Sequence, residues 1–444
     1  MVFIFRHFDS LHMITQVSSS LYHQLITTFD DGLVGKDALE TIRRNAFLRF
    51  KEQGFPSNKQ EDWKYTNLSL VLDKSYTLSA CSQASLVLDR AEIPGLDTYR
   101  LVVVNGKFRA DLSDHIVQKG VYICAIEEAY AQPGFHEHFA QYADKTDDAF
   151  VALNTALFQS GLFIHVAKNT ALDKSIQVIH VSSSVESQFG QTRNLFILEE
   201  NTEAEIVESF IAQDSESNSL YNNVSELVLS ENAKLQHYYL QTGNTSANYI
   251  NHTEVYQKRH SLYNQYNCTF PGASFVRNTI NVRLDDQNVE SHLYGITLTA
   301  QDQLVDNHTI VDHLKANCES YEWYKNITQD TSTAVFNGKI FVRTDAQKTN
   351  AFQQNNNMLI GEKSVIYTKP QLEIFADDVK CSHGCTIGQF DEDALFYLRA
   401  RGIGEEKARV LMVHAFAFDV TERFSNEFVR HYVDELIEKG LKIT

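Results

Sequence analysis

Cysteine is scarce in this chain: six residues among 444, Cys81, Cys124, Cys268, Cys318, Cys381 and Cys385, at uneven spacings. That excludes the dense disulfide framework of a small secreted domain and fits a reducing, cytoplasmic compartment. Proline is scarcer, five in all, and only Pro271 and Pro370 fall between residues 165 and 380. Positive charge is also in deficit. The 39 Lys and Arg against 57 Asp and Glu leave a formal net charge of -18, which favours solubility, repels phosphate and argues against nucleic acid as a partner. Long apolar runs are missing. The start, "MVFIFRHFDSLHMITQ", is interrupted at Arg6 and His7, too short to cross a membrane and without the longer apolar region and small-residue cleavage site of a signal peptide. Met13 is an alternative initiator to Met1. No G-x4-G-K-[ST], G-x-S-x-G or H-E-x-x-H occurs, so ATP hydrolysis by this chain and two common hydrolase chemistries are not expected.

Core-forming residues are plentiful, at 43% hydrophobic, and the length calls for two or three domains or one elongated repeat. Three segments are expected: a mixed helical and α/β region over 1–160, a repeat over 161–389, and a helical domain over 390–444. In the first, "DALETIRRNAFLRFKEQG" spaces Leu39, Ile42, Ala46 and Phe50 by three and four, an amphipathic helix stopped by Gly54 and Pro56. "YRLVVVNGKFRADLS" reads as a hairpin turning at Asn105-Gly106. "AFVALNTALFQSGLFIHV" reads as a helix passing, after Gly161, into a strand. From about 165 onward, short runs of Ile, Val, Tyr, Phe and Thr are broken by polar clusters. Small or apolar residues just after those clusters run from Ser175, Gly190 and Ala204 to Ala334, Thr349 and Ser364, with every gap between 14 and 16 residues. Two such steps make one coil of a solenoid. The expected fold is therefore mainly β, a right-handed parallel β-helix; an up-and-down sandwich would show shorter spacings of about 8 to 12 residues.

The strands alternate apolar residues with Asn, Gln and His, as in "LQHYYLQT", "NYINHTEVY" and "VDNHTIVDHL", which is the pattern of a sheet with one solvent-facing side. After Phe390 the period becomes helical. "DEDALFYLRARG", "EEKARVLMVHAFAFDV" and "SNEFVRHYVDELIEKG" read as three helices. "GIGEEKA", Gly402 to Ala408, resembles the hairpin of a helix-hairpin-helix element, but Glu405 and Glu406 stand where phosphate would bind, so it reads as a helix cap.

One stretch carries ligand chemistry. "DDVKCSHGCTIGQ", Asp377 to Gln389, sets Cys381, His383 and Cys385 at every second position, which in a strand places all three on one face about 6 to 7 Å apart. A closed zinc site draws on two separated ligand pairs, and no second pair exists here, so the pattern fits a half-site completed by another chain, or a labile site, better than a structural zinc. Two free cysteines packed at a strand-to-helix corner is the plainer reading of the same residues.

"KPQLEIFADDVKCSHGCTIGQFDEDALFYLRARGI", Lys369 to Ile403, resembles the C-terminal signature of the SufB/SufD scaffold family of iron–sulfur cluster assembly, the SufD branch in particular. "GFPSNKQEDWKYTNL", Gly54 to Leu68, resembles that branch's N-terminal signature. The resemblance spans nearly the whole chain and agrees with the β-helix. It implies a non-enzymatic subunit that pairs with a SufB-like paralogue and depends on a SufC-like ABC ATPase to build and transfer nascent clusters. It assigns Cys381 and His383 as interface ligands of a transient iron–sulfur cluster, and the helices from about Gly402 to Lys439 as the ATPase dock. Cys385 stands where that pattern usually has alanine; a corner after Gly384 is expected to turn it away, leaving it passive. Cys268 and Cys318 are expected to be buried core residues rather than sulfur acceptors. Reduced flavin would belong to the assembled complex. A SufB-like subunit or a homodimeric scaffold is the nearest alternative, while a secreted polysaccharide lyase lacks both its basic cleft and its signal peptide.

Overall fold

The computed structural model describes residues 20–30, 38–78, 86, 88–183, 186–213, 218–243 and 247–441. Met1, Met13 and Cys81 lie outside them. Fifteen strands, from Ser175–Ser182 to Lys380–Gln389, alternate between two sheets and begin 13 to 17 residues apart, so the expected step is present. Within each sheet every strand pairs in parallel with the strand two places on, giving a ten-stranded and a nine-stranded sheet face to face. This is a parallel β-solenoid with two strands per coil. Both sheets begin before residue 161: Thr98–Val104 pairs with Ser175–Ser182, and Val121–Ala125 with Leu162–Val166. The hairpin turns at Asn105 and Gly106, both at positive φ as a type I′ turn requires.

The coil length is set at one corner. Asn169, Asn201, Asn232, His260, Asn288, Asn317 and Lys348 recur every 28 to 32 residues with φ between 57° and 63°. Each donates its backbone N–H to a carbonyl of the following coil, at 2.7 to 3.4 Å. Asparagine tolerates this left-handed conformation because its short side chain bonds locally. Asn232 and Asn201 also pass side-chain hydrogen bonds down the stack, at 2.8 and 2.9 Å.

Between the sheets, one side of the interior is apolar, with Ile164, Val178, Phe196, Ile206, Val282 and Leu293 fully buried. Each such side chain contributes roughly 1.5–3 kcal/mol by leaving water. The other side is polar. Asn223, Asn251, Asn278 and Asn307 stack on successive coils of the nine-stranded sheet and hydrogen-bond in series at 2.8 to 3.0 Å, ending on Thr297 of the facing sheet. The solvent-side reading of the strand polarity is therefore wrong: Asn251, His252, Gln265, Asn267, Asp306 and Asn307 are all buried. Over the earlier coils both faces of both sheets are covered, so there alternation separates interior from flanking layers, while in the later coils outward residues such as Phe352 and Tyr367 are exposed.

Helices supply the outer layers. Glu40–Gln53 and Ala149–Leu157 pack Phe47, Phe50 and Phe150 against Phe189, Leu220 and Phe275 on the outside of the nine-stranded sheet. A strap over 61–68 crosses the same sheet, with Trp63 stacked on Arg277 at 3.7 Å and Tyr65 on Tyr367 at 4.1 Å. Glu392–Ala400, Glu405–Thr421 and Glu427–Leu441 cover the outside of the ten-stranded sheet, where Val413, Ala417, Val429 and Val433 meet Tyr238, Tyr266 and Ile296.

Candidate metal-ligating site at the open end of the solenoid

The last coil has a neighbour on one side only. Val365–Ile374 and Lys380–Gln389 are the outermost strands of their sheets, and beyond them no described strand continues the ladders. Such edges leave unpaired N–H and C=O groups that another chain can pair with or cover. Tyr367, Ile374, Phe375 and Ile387 expose apolar surface around that end.

The three candidate ligands stand on the final strand. Cys381, His383 and Cys385 pair in register with Ala351, Gln353 and Asn355. These partners face the interior: Ala351 belongs to the apolar core, and Asn355 accepts a 2.8 Å hydrogen bond from Thr368 of the facing sheet. Strand alternation therefore aims all three ligands between the sheets. Cys381 is half-buried against the core, and burial pushes its thiol up, partly offset by a backbone hydrogen bond from Ala351. His383 and Cys385 are exposed.

The expected corner after Gly384 is absent. The strand runs on to Gln389, and Cys385 Sγ lies 3.5 Å from Thr368 Oγ1 and 3.9 Å from Asn357 Nδ2, inward like Cys381. Strand rise separates Cys381 from Cys385 by about 13 Å, too far for both to bind one ion. Among the described residues no three His, Cys, Asp or Glu converge on a metal position. The site is a row of candidate ligands along an edge.

Among the described residues the other cysteines, Cys124, Cys268 and Cys318, are enclosed. Cys268 faces outward beneath the C-terminal helices, and burial raises its thiol far above the usual range. Cys318 sits in the core with its thiol pushed up to about 11 by burial, its Sγ 3.1 Å from the Asp286 carbonyl. Cys124 is buried as well, its thiol also raised to about 11 by burial. None offers the exposed, acidified thiol of a reactive cysteine.

Two family models match the chain. "SUF system FeS cluster assembly, SufBD core domain" covers residues 180–416, and "SufBD protein N-terminal region" covers 15–178. The chain belongs to the SufBD family. It is 30% identical over 383 residues to the iron–sulfur cluster assembly protein SufD of Escherichia coli K12, covering 86% of this chain and 88% of that one. An iron–sulfur cluster assembly SufBD family protein of Synechocystis is 31% identical, covering 83% of each. Protein ABCI7, chloroplastic, of Arabidopsis thaliana is 28% identical over 92% of this chain and 88% of its own. The ligand row falls within the SufBD core match.

The sequence points to the candidate ligand row but not to what lies beneath it. Thr368, Asn355 and Gln353 line the floor, and only the pairing register, fixed once coil length is known, brings them under residues 383 and 385. On the C-terminal helices of this chain, Phe396 and Tyr397 of Glu392–Ala400 and Leu411 and Phe418 of Glu405–Thr421 are exposed apolar side chains. Among the described residues no helix is long and apolar enough to cross a membrane.

Proposed function

We propose that this SufBD-family chain is a non-catalytic scaffold subunit of iron–sulfur cluster assembly, working in the cytoplasm in the manner of SufD. A SufB-like paralogue docks on the open end of the solenoid. The nascent cluster, which is cargo, is held between the two, with Cys381 and His383 as ligands from this side. A SufC-like ABC ATPase docks on the C-terminal helices. In this reading the segments 1–160, 161–389 and 390–444 serve as brace, ligand platform and ATPase dock.

The observation that carries the proposal is the row of candidate ligands on a terminal strand whose outer edge no described strand pairs. Thiolate and imidazole suit iron, and Cys381 must shed its proton to bind it. A row that spans one edge can hold only part of a cluster's coordination, so closure of the site depends on the partner and its release on the partner's departure. The exposed aromatic face at Phe396, Tyr397 and Phe418 supports the ATPase dock, since such patches mark protein contacts.

The test is anaerobic co-purification with the paralogue and the ATPase, followed by reconstitution with iron and sulfide. His383→Ala and Cys381→Ser are expected to lose most of the cluster absorbance while the complex still assembles. Undiminished cluster content in His383→Ala would overturn the ligand assignment. A second copy of this chain in place of the paralogue, able by itself to yield a stable cluster, would favour a homodimeric scaffold instead.

A further inference from the structure

One buried acid has no counter-charge. Glu322 is fully enclosed between the sheets, and among the described residues no Lys, Arg or His pairs with it. Its Oε2 accepts hydrogen bonds from the Thr309 hydroxyl at 2.6 Å, across the interior, and from Gln353 Nε2 at 3.2 Å on the next coil. Its Oε1 has no partner, and neither has Gln353 Oε1. A buried carboxylate with one oxygen unmet is costly, and leucine at this place would be cheaper for folding. The preceding coil has it: Leu293 stands in register with Glu322. The column then runs Glu322, Gln353, His383, each in register with the next toward the open end. Gly338, opposite, leaves room for the Gln353 amide, which a Cβ there would strike.

We propose that Glu322 is a positioning residue for the ligand row: it takes up and gives back a proton inside the solenoid, and its charge sets which way the Gln353 amide faces beneath His383. The geometry supplies both states. As a carboxylate, Glu322 accepts from Gln353 Nε2, as observed. As an acid, with a proton from solvent bonded to Oε2, it donates to Gln353 Oε1 after the amide turns over and brings that oxygen to the place of Nε2. Only one O–H bond forms or breaks. The amide then presents its N–H groups, rather than its oxygen, to the coil that carries His383. Burial pushes the Glu322 carboxyl up to about 7, against the pull of Thr309 and Gln353, so both states are populated near neutrality. The titratable groups facing it do not mask this. Tyr324 on its own strand is held neutral by burial. His313 on the facing strand is kept neutral by burial, its value about 3, and pairs with Ser320. The neighbouring strands present Leu293, Gly338 and Gln353.

The inference rests on the reading of Cys381 and His383 as cluster ligands, and the experiment separates the two. Infrared titration of the full chain is expected to show a buried carboxyl band that fades between about pH 6 and 8 and is missing in Glu322→Gln. In the reconstituted complex, the pH profile of cluster formation is expected to bend in the same range, to lose that bend in Glu322→Gln, and to keep it, shifted, in Glu322→Asp. Gln353→Leu should keep the infrared band yet lose the bend; it also carries the test if Glu322→Gln is not recovered folded. Absence of the band, or a profile unchanged in Glu322→Gln and in Gln353→Leu while His383→Ala abolishes the cluster, overturns the inference alone. Full cluster formation in His383→Ala overturns the ligand reading, and the inference with it.

Discussion

At the residue scale, the chain keeps buried charges where they tie neighbouring strands or layers together. Asp306 is fully buried on the nine-stranded sheet, paired with Arg277 and 2.9 Å from His308, and accepts a 2.5 Å hydrogen bond from Thr66 of the strap. Burial pushes its carboxyl up, but the Arg277 charge and the His308 contact outweigh this and hold it at about 2. Glu208, between His180 and His237 at 2.7 and 2.8 Å, is likewise held at about 2 despite burial. Both values lie below those of the unfolded chain, so the stability they give is complete above about pH 4.5 and is lost as pH falls toward 2. Each is worth on the order of 2–3 kcal/mol in that window. Asp306→Asn leaves Arg277 buried without its counter-charge and should cost about 3–5 kcal/mol at pH 7. Its stability should also fall less steeply below pH 4.5. Urea titrations followed by circular dichroism at several pH values measure both; an acid limb as steep as wild type's would refute the assignment.

At the scale of the element, the corner decides the coil. Asn232 at φ 62° should tolerate glycine with a change within about 1 kcal/mol, since glycine loses the side-chain bond to Asn201 but gains freedom at positive φ. Asn232→Val should cost about 1–2 kcal/mol or more, because a β-branched residue is strained there. Equal urea midpoints for the two variants would remove the corner argument. The same corners made the fold legible. Polar clusters mark the turns, the small or apolar residue after each marks a strand start, and every marker from Ser175 to Ser364 falls within a residue of one. What sequence could not tell is which side of each strand is wet. Asn251 and Asn307 read as solvent-facing, yet they build the inner ladder, because a strand covered on both sides alternates between two buried environments. At the site, alternation placed Cys381, His383 and Cys385 on one face, but the coil partners of those residues depend on register. Cys385 was assigned to a corner that the ten-residue strand Lys380–Gln389 does not make.

At the scale of the whole molecule, the C-terminal helices have two faces with different duties, and that determines how their docking role can be tested. Their inner face covers the ten-stranded sheet: Val413, Ala417, Val429 and Val433 lie on Tyr238, Tyr266 and Ile296, and Lys325 reaches from the sheet to Asp419 and the Phe416 carbonyl. Removing everything after Arg401 would strip this cover and expose a broad apolar sheet, so lost ATPase binding would then report a damaged solenoid as readily as a missing dock. Substitution on the outer face avoids the ambiguity. Phe418 is 57% and Leu411 43% exposed on the same helix, Glu405–Thr421, seven residues apart and so on one side of it. Leu411→Asp with Phe418→Asp should leave the melting temperature within a few degrees of wild type, since little buried area is lost. It should weaken association with the ATPase by tenfold or more, because exposed aromatic anchors dominate such contacts. Isothermal titration against the isolated ATPase, beside a melting curve of each protein, reads the two effects apart. Undiminished affinity in the double variant would move the dock off this face, and a collapsed melting temperature would show that the face is part of the fold.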